Sequence, residues 1–307
     1  MSILSSDTST AIDFGNLEFL AQQIVAGFIT GLHKSPFHGF SVEFAEHSLY
    51  NSGDSVKNVD WKLFARTNKL FVKRFEEETN LRCQIIIDAS SSMYFPKSDV
   101  NKFQFSALAS AALILLLKKQ RDAFGLTLFS ESIEFHTPAK STQAHQKHIF
   151  NELAQYLQIK PQQKTTNIVA NLHLIAEQIP KRSLVILFSD FLANAAFENQ
   201  SEALFDALQH LKFNKHEVII FNIHEQKHEI EFDFENRPYL FIDQETNAQI
   251  KLNPIEIKEI YVEKMRLFNQ QLALKCAQYK IDLVNASLEE GYYPVLNDWL
   301  IKRNKMI

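Results

Sequence analysis

The sequence predicts an α/β fold built on an open, mostly parallel, doubly wound sheet. After residue 81, short apolar runs alternate with longer segments of helical periodicity, and this alternation favours parallel strands covered by helices on both faces. The longest apolar stretch, residues 105–117, is rich in small side chains and is closed by two lysines. It falls short of the roughly 20 residues of a membrane span, so we expect a helix buried between layers and no span.

The alternation predicts five parallel strands and five helices. The expected strands are residues 82–88, 124–129, 183–189, 217–223 and 281–284, and the expected helices are 102–119, 145–157, 167–178, 201–213 and 255–279. A further strand at 133–136 follows its predecessor so closely that it must pair antiparallel, at a sheet edge. Residues 239–243 and 248–252 flank a short turn, which predicts a β-hairpin within an insertion at about 231–253.

Residues 1–80 are predicted to be an α+β leader segment that packs on the main domain, residues 81–307. An amphipathic helix is expected at 13–30, with Asn16 as a possible cap. A short extended piece at 41–44, a helix at 58–67 and a strand at 69–78 complete the expected leader.

Composition narrows the functional classes. The 307 residues are 46% hydrophobic and 22% charged, which indicates a globular protein with a substantial core. A net charge of -4 with scattered Lys and Arg argues against nucleic acid. The two cysteines fit no disulfide or metal spacing, and the polar start lacks the regions of a signal peptide. We therefore expect two free thiols and a cytoplasmic protein.

Oxygen-bearing side chains follow three of the predicted elements. Asp88, Ser90 and Ser92 come directly after the first buried strand, Thr166 precedes a helix, and Asp190 ends the strand 183–189. Taken alone, the segment 88–93 favours a strand end with serines that cap the next helix. With Thr166 and Asp190 added, two carboxylates and three hydroxyls suit Mg²⁺, with Mn²⁺ or Ca²⁺ as alternatives.

This order of residues resembles the metal-ion-dependent adhesion site of the von Willebrand factor A fold. Other motifs are similar to those of a widespread bacterial family, domain of unknown function 58, in its shorter subgroup without membrane helices. These motifs are Gly39 to Phe44, Tyr50 to Asp54, Asp60-Trp61, Ala65-Arg66, Asp122, Gly125-Leu126, Phe129, Tyr261 and Ile281-Asp282. The family often has glycines where this chain has Lys164-Thr165, so the choice between Thr165 and Thr166 as a ligand stays open.

The resemblance implies a protein–protein interaction module, not an enzyme. Its metal ion is expected to bind a carboxylate of a partner, which the family's usual setting suggests is an AAA-type ATPase of the MoxR class or a client of that ATPase. One alternative is a scaffold without a working metal site, which acts through Asp54, Asp60, Trp61 and Arg66. Another is a metal-dependent phosphohydrolase that uses Asp88, although position 90 then lacks the second carboxylate expected for that chemistry.

Overall fold

The computed structural model describes residues 14–32, 47–49, 61–67, 69, 71–73, 81–97, 100–158, 164–195 and 198–306. The chain divides into two compact units, one formed by residues 30–80 and the other by residues 1–29 with 81–307. We describe each unit by itself. The expected packing of residues 1–80 on the main domain stays a prediction.

The smaller unit contains two short strands and one short helix. Strand β1 (His47–Leu49) pairs antiparallel with β2 (Phe71–Lys73), and helix α2 spans Trp61–Thr67. Of the strand expected at 69–78, residues 71–73 form β2 and Lys69 lies in a bend. Residues 70 and 74–78 lie outside the described part of the chain. The extended piece expected at 41–44, and Asp54 and Asp60, lie outside the described residues.

The larger unit is built on a six-stranded sheet with the order β10-β7-β6-β3-β4-β5. Every neighbouring pair is parallel except β4 with β5, which is antiparallel at the edge. The strands span Arg82–Asp88 (β3), Ala123–Phe129 (β4), Ile133–His136 (β5), Leu184–Ser189 (β6), Glu217–His224 (β7) and Asp282–Ser287 (β10). The predicted fold class and the antiparallel edge strand are confirmed.

Helices cover both faces of this sheet. Helices α5, α7 and α8 share a core with alternate residues of the central strands, such as Ile86, Val185 and Ile220. Helix α3, which is buried along nearly its whole length, packs against β3 and β4 and also contacts α4 and α9. The helices span Phe14–Leu32 (α1), Lys102–Lys119 (α3), Gln143–Gln158 (α4), Ile168–Gln178 (α5), Leu192–Ala195 (α6), Glu198–Phe213 (α7), Pro254–Tyr279 (α8) and Tyr293–Met306 (α9).

Local capping explains where some helices begin. Asn101 accepts a hydrogen bond from the backbone N–H of Gln104, and the Gln104 side chain accepts one from the backbone of Asn101, so α3 starts with a complete capping box. Asn16 has no such role, because α1 begins two residues earlier, at Phe14. The expected cap there was wrong. No helix in the described part of the chain is both long and apolar enough to cross a membrane.

The strand order changes direction at β3, and this change positions the candidate site. The chain continues from β3 to β4 on one side and later returns to β6 on the other. Ile87 of β3 pairs with Phe188 of β6, so both strands end at the same level of the sheet. Open parallel sheets form a crevice at such a switch, beyond the carboxyl ends of the strands.

The predicted hairpin forms a separate two-stranded sheet. Strand β8 (Tyr239–Ile242) pairs antiparallel with β9 (Gln249–Leu252) in the connection between β7 and α8. Phe241 of the hairpin stacks on Phe232 at 5.8 Å, and Phe232 lies 4.3 Å from the ring of Tyr261 on α8. These aromatic contacts attach the hairpin to the body of the larger unit.

Candidate metal-binding site

Asp88 is the centre of the candidate site. It is the last residue of β3, and its side chain is buried. One carboxylate oxygen accepts the backbone N–H of Ser90 at 2.9 Å, and the other accepts the hydroxyl of Ser189 at 2.9 Å. Because Ser189 ends the neighbouring strand β6, Asp88 lies directly at the switch in strand order.

The predicted hydroxyl ligands lie beside Asp88. Ser90 Oγ and Ser92 Oγ are 3.1 Å apart on the turn that follows β3. Thr166 Oγ1 lies 3.4 Å from the Asp88 oxygen that Ser189 also contacts. The structure therefore brings together four of the five predicted ligands, from two loops that are far apart in sequence.

A pair of reciprocal hydrogen bonds holds the two loops together. Ser91 donates its backbone N–H to the carbonyl of Lys164 at 3.0 Å, and Lys164 donates its own N–H to the Ser91 hydroxyl at 2.7 Å. This contact orients the threonine pair that follows. Thr166 faces Asp88, whereas the Thr165 hydroxyl donates to Glu131 at 2.6 Å. Of the two threonines, Thr166 is the one placed to act as a ligand.

Asp190, the fifth predicted ligand, is engaged by a buried lysine. Its Oδ2 lies 2.6 Å from Nζ of Lys102, and its Oδ1 accepts the backbone N–H of Leu192 at 3.2 Å. Lys102 Nζ also lies 2.5 Å from Glu229, and the lysine side chain is fully buried. Direct binding of a metal by Asp190 would therefore compete with Lys102.

Burial sets the charge states of this group. Burial, and then the nearby charge of Asp190, raise the pKa of Asp88 to about 7. Burial disfavours the charged form of Lys102, but Asp190 and Glu229 outweigh it and hold the pKa of the lysine above its ordinary value. Burial also raises the pKa of Glu229. Lys102 is thus a buried cation held between the carboxyl groups of Asp190 and Glu229.

The donor set fits a hard divalent cation. Asp88, Ser90, Ser92 and Thr166 all offer oxygen atoms, which Mg²⁺, Mn²⁺ and Ca²⁺ prefer. Among the described residues, no three His, Cys, Asp or Glu side chains gather as a metal cluster. A cation here would therefore be held by hydroxyls around one carboxylate, and the residues around it would leave much of its positive charge uncompensated.

Four residues of this site were not predicted from the sequence: Ser189, Lys102, Glu229 and Glu245. Ser189 adjoins the predicted Asp190, and Lys102 is a lone charge at the start of an apolar helix, where the helix dipole disfavours a cation. That placement is a signal that carboxylates must be near. Glu229 lies in a π-helical turn, Gln226–Ile230, and Glu245 in the hairpin turn. Neither has a sequence signal, because tertiary packing alone brings them to the site.

A cleft of about 860 Å³ adjoins the hydroxyl ligands. Ser92 and Thr166 line it at one end, and Glu245 of the hairpin turn lines it as well. The aromatic side chains Phe232, Phe234 and Tyr261 form part of its wall. The candidate site is thus open to a ligand that combines a polar group with apolar surface.

The strand order gives the larger unit an α/β fold of the von Willebrand factor A-like class. The chain belongs to the family described as "Protein of unknown function DUF58", whose model matches residues 46–266. The family resemblance seen in the sequence is confirmed.

The curated relatives include uncharacterized proteins of mycobacteria. Rv1480 of Mycobacterium tuberculosis and Mb1516 of Mycobacterium bovis are each 24% identical over 186 residues, which is 61% of this chain and 58% of theirs. The chain thus spans less than two thirds of the length of the curated relatives it matches.

The solved structures to which this chain is similar include a BatB protein and two von Willebrand factor type A structures. The conserved hypothetical protein BatB from Bacteroides thetaiotaomicron has a TM-score of 0.41 at 11% identity, over 74% of this chain and 98% of that one. The SpRpn10 VWA domain has a TM-score of 0.30 at 14% identity, over 47% of this chain and 76% of that one. A von Willebrand factor type A structure from Catenulispora acidiphila has a TM-score of 0.29 at 15% identity, over 48% and 34%.

Proposed function

We propose that this protein is a protein–protein interaction module whose metal-ion-dependent adhesion site binds a carboxylate of its partner. One observation carries the proposal: the oxygen atoms of Asp88, Ser90, Ser92 and Thr166 converge at the switch in strand order. Mg²⁺ is the proposed ion, with Mn²⁺ and Ca²⁺ as alternatives, and Asp190 acts directly or through water.

The charge of the donor set favours a carboxylate as the ligand. The three hydroxyls are neutral, and Asp190 already pairs with Lys102, so Asp88 is the main anionic donor. When bound, the ion would supply a positive charge with a coordination position that an exchangeable ligand can take. Magnesium usually completes its shell with waters or with ligand oxygens, and a carboxylate from a partner would compensate the remaining charge.

The same geometry supports binding more than catalysis. Ser90 Oγ contacts another hydroxyl, that of Ser92, at 3.1 Å. Phosphohydrolase chemistry at Asp88 would need a second carboxylate two residues further on, and position 90 carries a serine instead. We therefore propose a role as a binding module and not as a phosphohydrolase.

The proposed partner is an AAA-type ATPase of the MoxR class or a client of that ATPase, and the proposed setting is the cytoplasm. The family resemblance supports the partner. Cys83 and Cys276, which are both buried and form no disulfide in the described part of the chain, are compatible with a reducing compartment.

The metal proposal is tested by thermal unfolding and calorimetry with millimolar Mg²⁺ or with EDTA. Binding to the native state alone adds about 1.4 kcal/mol to the free energy of unfolding when Mg²⁺ is at about ten times its Kd. We expect this gain in the wild type, and its loss in Thr166→Val and Asp88→Asn.

Thr165→Val is the matched control, since Thr165 contacts Glu131 instead of Asp88. This variant should keep the response to Mg²⁺. A wild type that neither binds Mg²⁺ in calorimetry nor unfolds differently in EDTA would remove the metal from the proposal. Co-purification of the chain with a purified MoxR-type ATPase, in Mg²⁺ and in EDTA, tests the partner separately.

A further inference from the structure

The turn of the β8–β9 hairpin delivers a carboxylate to the candidate metal site. Glu245 Oε2 accepts the backbone N–H of Thr166 at 3.2 Å. The Glu245 carboxyl also interacts with the side chain of Ser92. Glu245, in the turn of the hairpin, thus contacts two of the proposed metal ligands, Thr166 and Ser92.

The hairpin turn is built to present this glutamate. Asp243 accepts the backbone N–H of Glu245 at 2.9 Å and the hydroxyl of Thr246 at 2.5 Å. Asn247, in the left-handed conformation with φ of 61°, donates its N–H to the carbonyl of Asp243 at 2.9 Å. These bonds restrain the backbone around Glu245 and therefore the position from which its side chain extends.

Glu245 lies beside two of the proposed metal ligands. It accepts the backbone N–H of Thr166, interacts with the side chain of Ser92 and lines the cleft of about 860 Å³. Inside that cleft the carboxylate has aromatic neighbours, including Phe232, Phe234 and Tyr261. The site and cleft together therefore suit an acidic side chain that is flanked by apolar ones.

We propose that Glu245 is an internal ligand that occupies the partner's place, and that the partner is an acidic, partly apolar peptide segment which must displace it. The inference rests on the proposed function, because the partner's carboxylate binds at the same metal ion. The hairpin then lowers the apparent affinity of the metal site for an external carboxylate. This affinity is proportional to the fraction of time for which Glu245 leaves the position free.

The test uses Mn²⁺ as the metal and acetate as the carboxylate, because both are defined probes. Mn²⁺ binding is followed by electron paramagnetic resonance, and displacement of water from the bound ion by acetate is followed by water proton relaxation, with chloride to match ionic strength. If Glu245 occupies the position about nine-tenths of the time, Glu245→Gln should bind acetate about tenfold more tightly than the wild type.

Two further variants sharpen the result. Glu259→Gln changes an exposed glutamate on α8 and should behave like the wild type. Asp243→Asn keeps Glu245 but weakens the turn that presents it, and should give an acetate affinity between those of the wild type and Glu245→Gln.

The outcomes separate the two proposals. Equal acetate affinity in the wild type and Glu245→Gln, with Mn²⁺ bound to both, overturns the internal ligand and leaves the metal site standing. Absence of Mn²⁺ binding in the wild type overturns both. Tighter acetate binding by Glu245→Gln, with an unchanged Glu259→Gln control, supports the internal ligand.

Discussion

Replacement of Lys102 by methionine should destabilise the larger unit strongly. Methionine keeps the length of the lysine side chain but removes its charge, and Asp190 and Glu229 are then left buried without their cation. The two contacts, at 2.6 and 2.5 Å, each correspond to about 6 kcal/mol of gross Coulomb energy at an effective dielectric constant of about 20. Desolvation of the three groups offsets much of this.

The expected loss of stability comes from the two carboxylates, Asp190 and Glu229, that stay buried without a cation. Removal of one partner from a buried ion pair typically destabilises a protein by about 3–5 kcal/mol, because the remaining charge is uncompensated. We expect a loss of this size for Lys102→Met. It is measured by denaturant unfolding in EDTA, so that a bound metal does not contribute to the difference.

Neutralisation of the carboxylates should rescue the variant. The triple variant Lys102→Met, Asp190→Asn, Glu229→Gln leaves no uncompensated buried charge in this group, so it should be more stable than the single variant. A single variant within about 0.5 kcal/mol of the wild type, the range of ordinary surface substitutions, would refute the reasoning. So would a triple variant that is no more stable than the single one.

Two further substitutions test packing and pH dependence. Gly125→Ala should lower the free energy of unfolding by about 1–3 kcal/mol, because a Cβ there would lie 2.5 Å from the carbonyl oxygen of Thr137. Gly27→Ala, which has open space around it, should raise that free energy by up to about 1 kcal/mol. Equal effects of the two substitutions in denaturant unfolding would contradict this account. Burial lowers the pKa of His216. Below about pH 6.5 the unfolded chain therefore binds a proton at this histidine more readily than the folded chain does. The free energy of unfolding accordingly falls as the pH decreases through this range. The cost of His216→Gln should therefore shrink between about pH 8 and pH 5.5, by at most about 1.4 kcal/mol per pH unit below 6.5, and a constant cost would rule out this titration.

The elements with strong local patterns could be predicted from the sequence. The strand Arg82–Asp88 contains the apolar run 85–87 and ends in a carboxylate, and the connection before β5 is too short for any pairing but an antiparallel one. The hairpin could also be predicted, since its expected strands flank a turn of four polar residues, 244–247. Helix α9 was not predicted, because its segment shows little helical amphipathicity and follows a 3₁₀ turn at Leu288–Glu290.

The candidate site was predictable only where the fold class determines position. Asp88 and Asp190 each follow a parallel strand, so the sheet itself brings them near one another. The contacts of Lys102 with Asp190 and Glu229 depend on how α3 and the π-helical turn pack, which no local pattern specifies. The same holds for Glu245, whose approach to Thr166 depends on where the hairpin lies.

The hydrogen bond between Ser189 and Asp88 also has a consequence for biosynthesis. The two residues are 101 positions apart in the chain, and they meet only when β6 pairs with β3. During translation, Asp88, Ser90 and Ser92 therefore emerge long before the rest of their site, and no complete binding centre exists until residue 190 has left the ribosome. The proposed binding centre is thus completed only after β6 has been synthesised and has paired with β3.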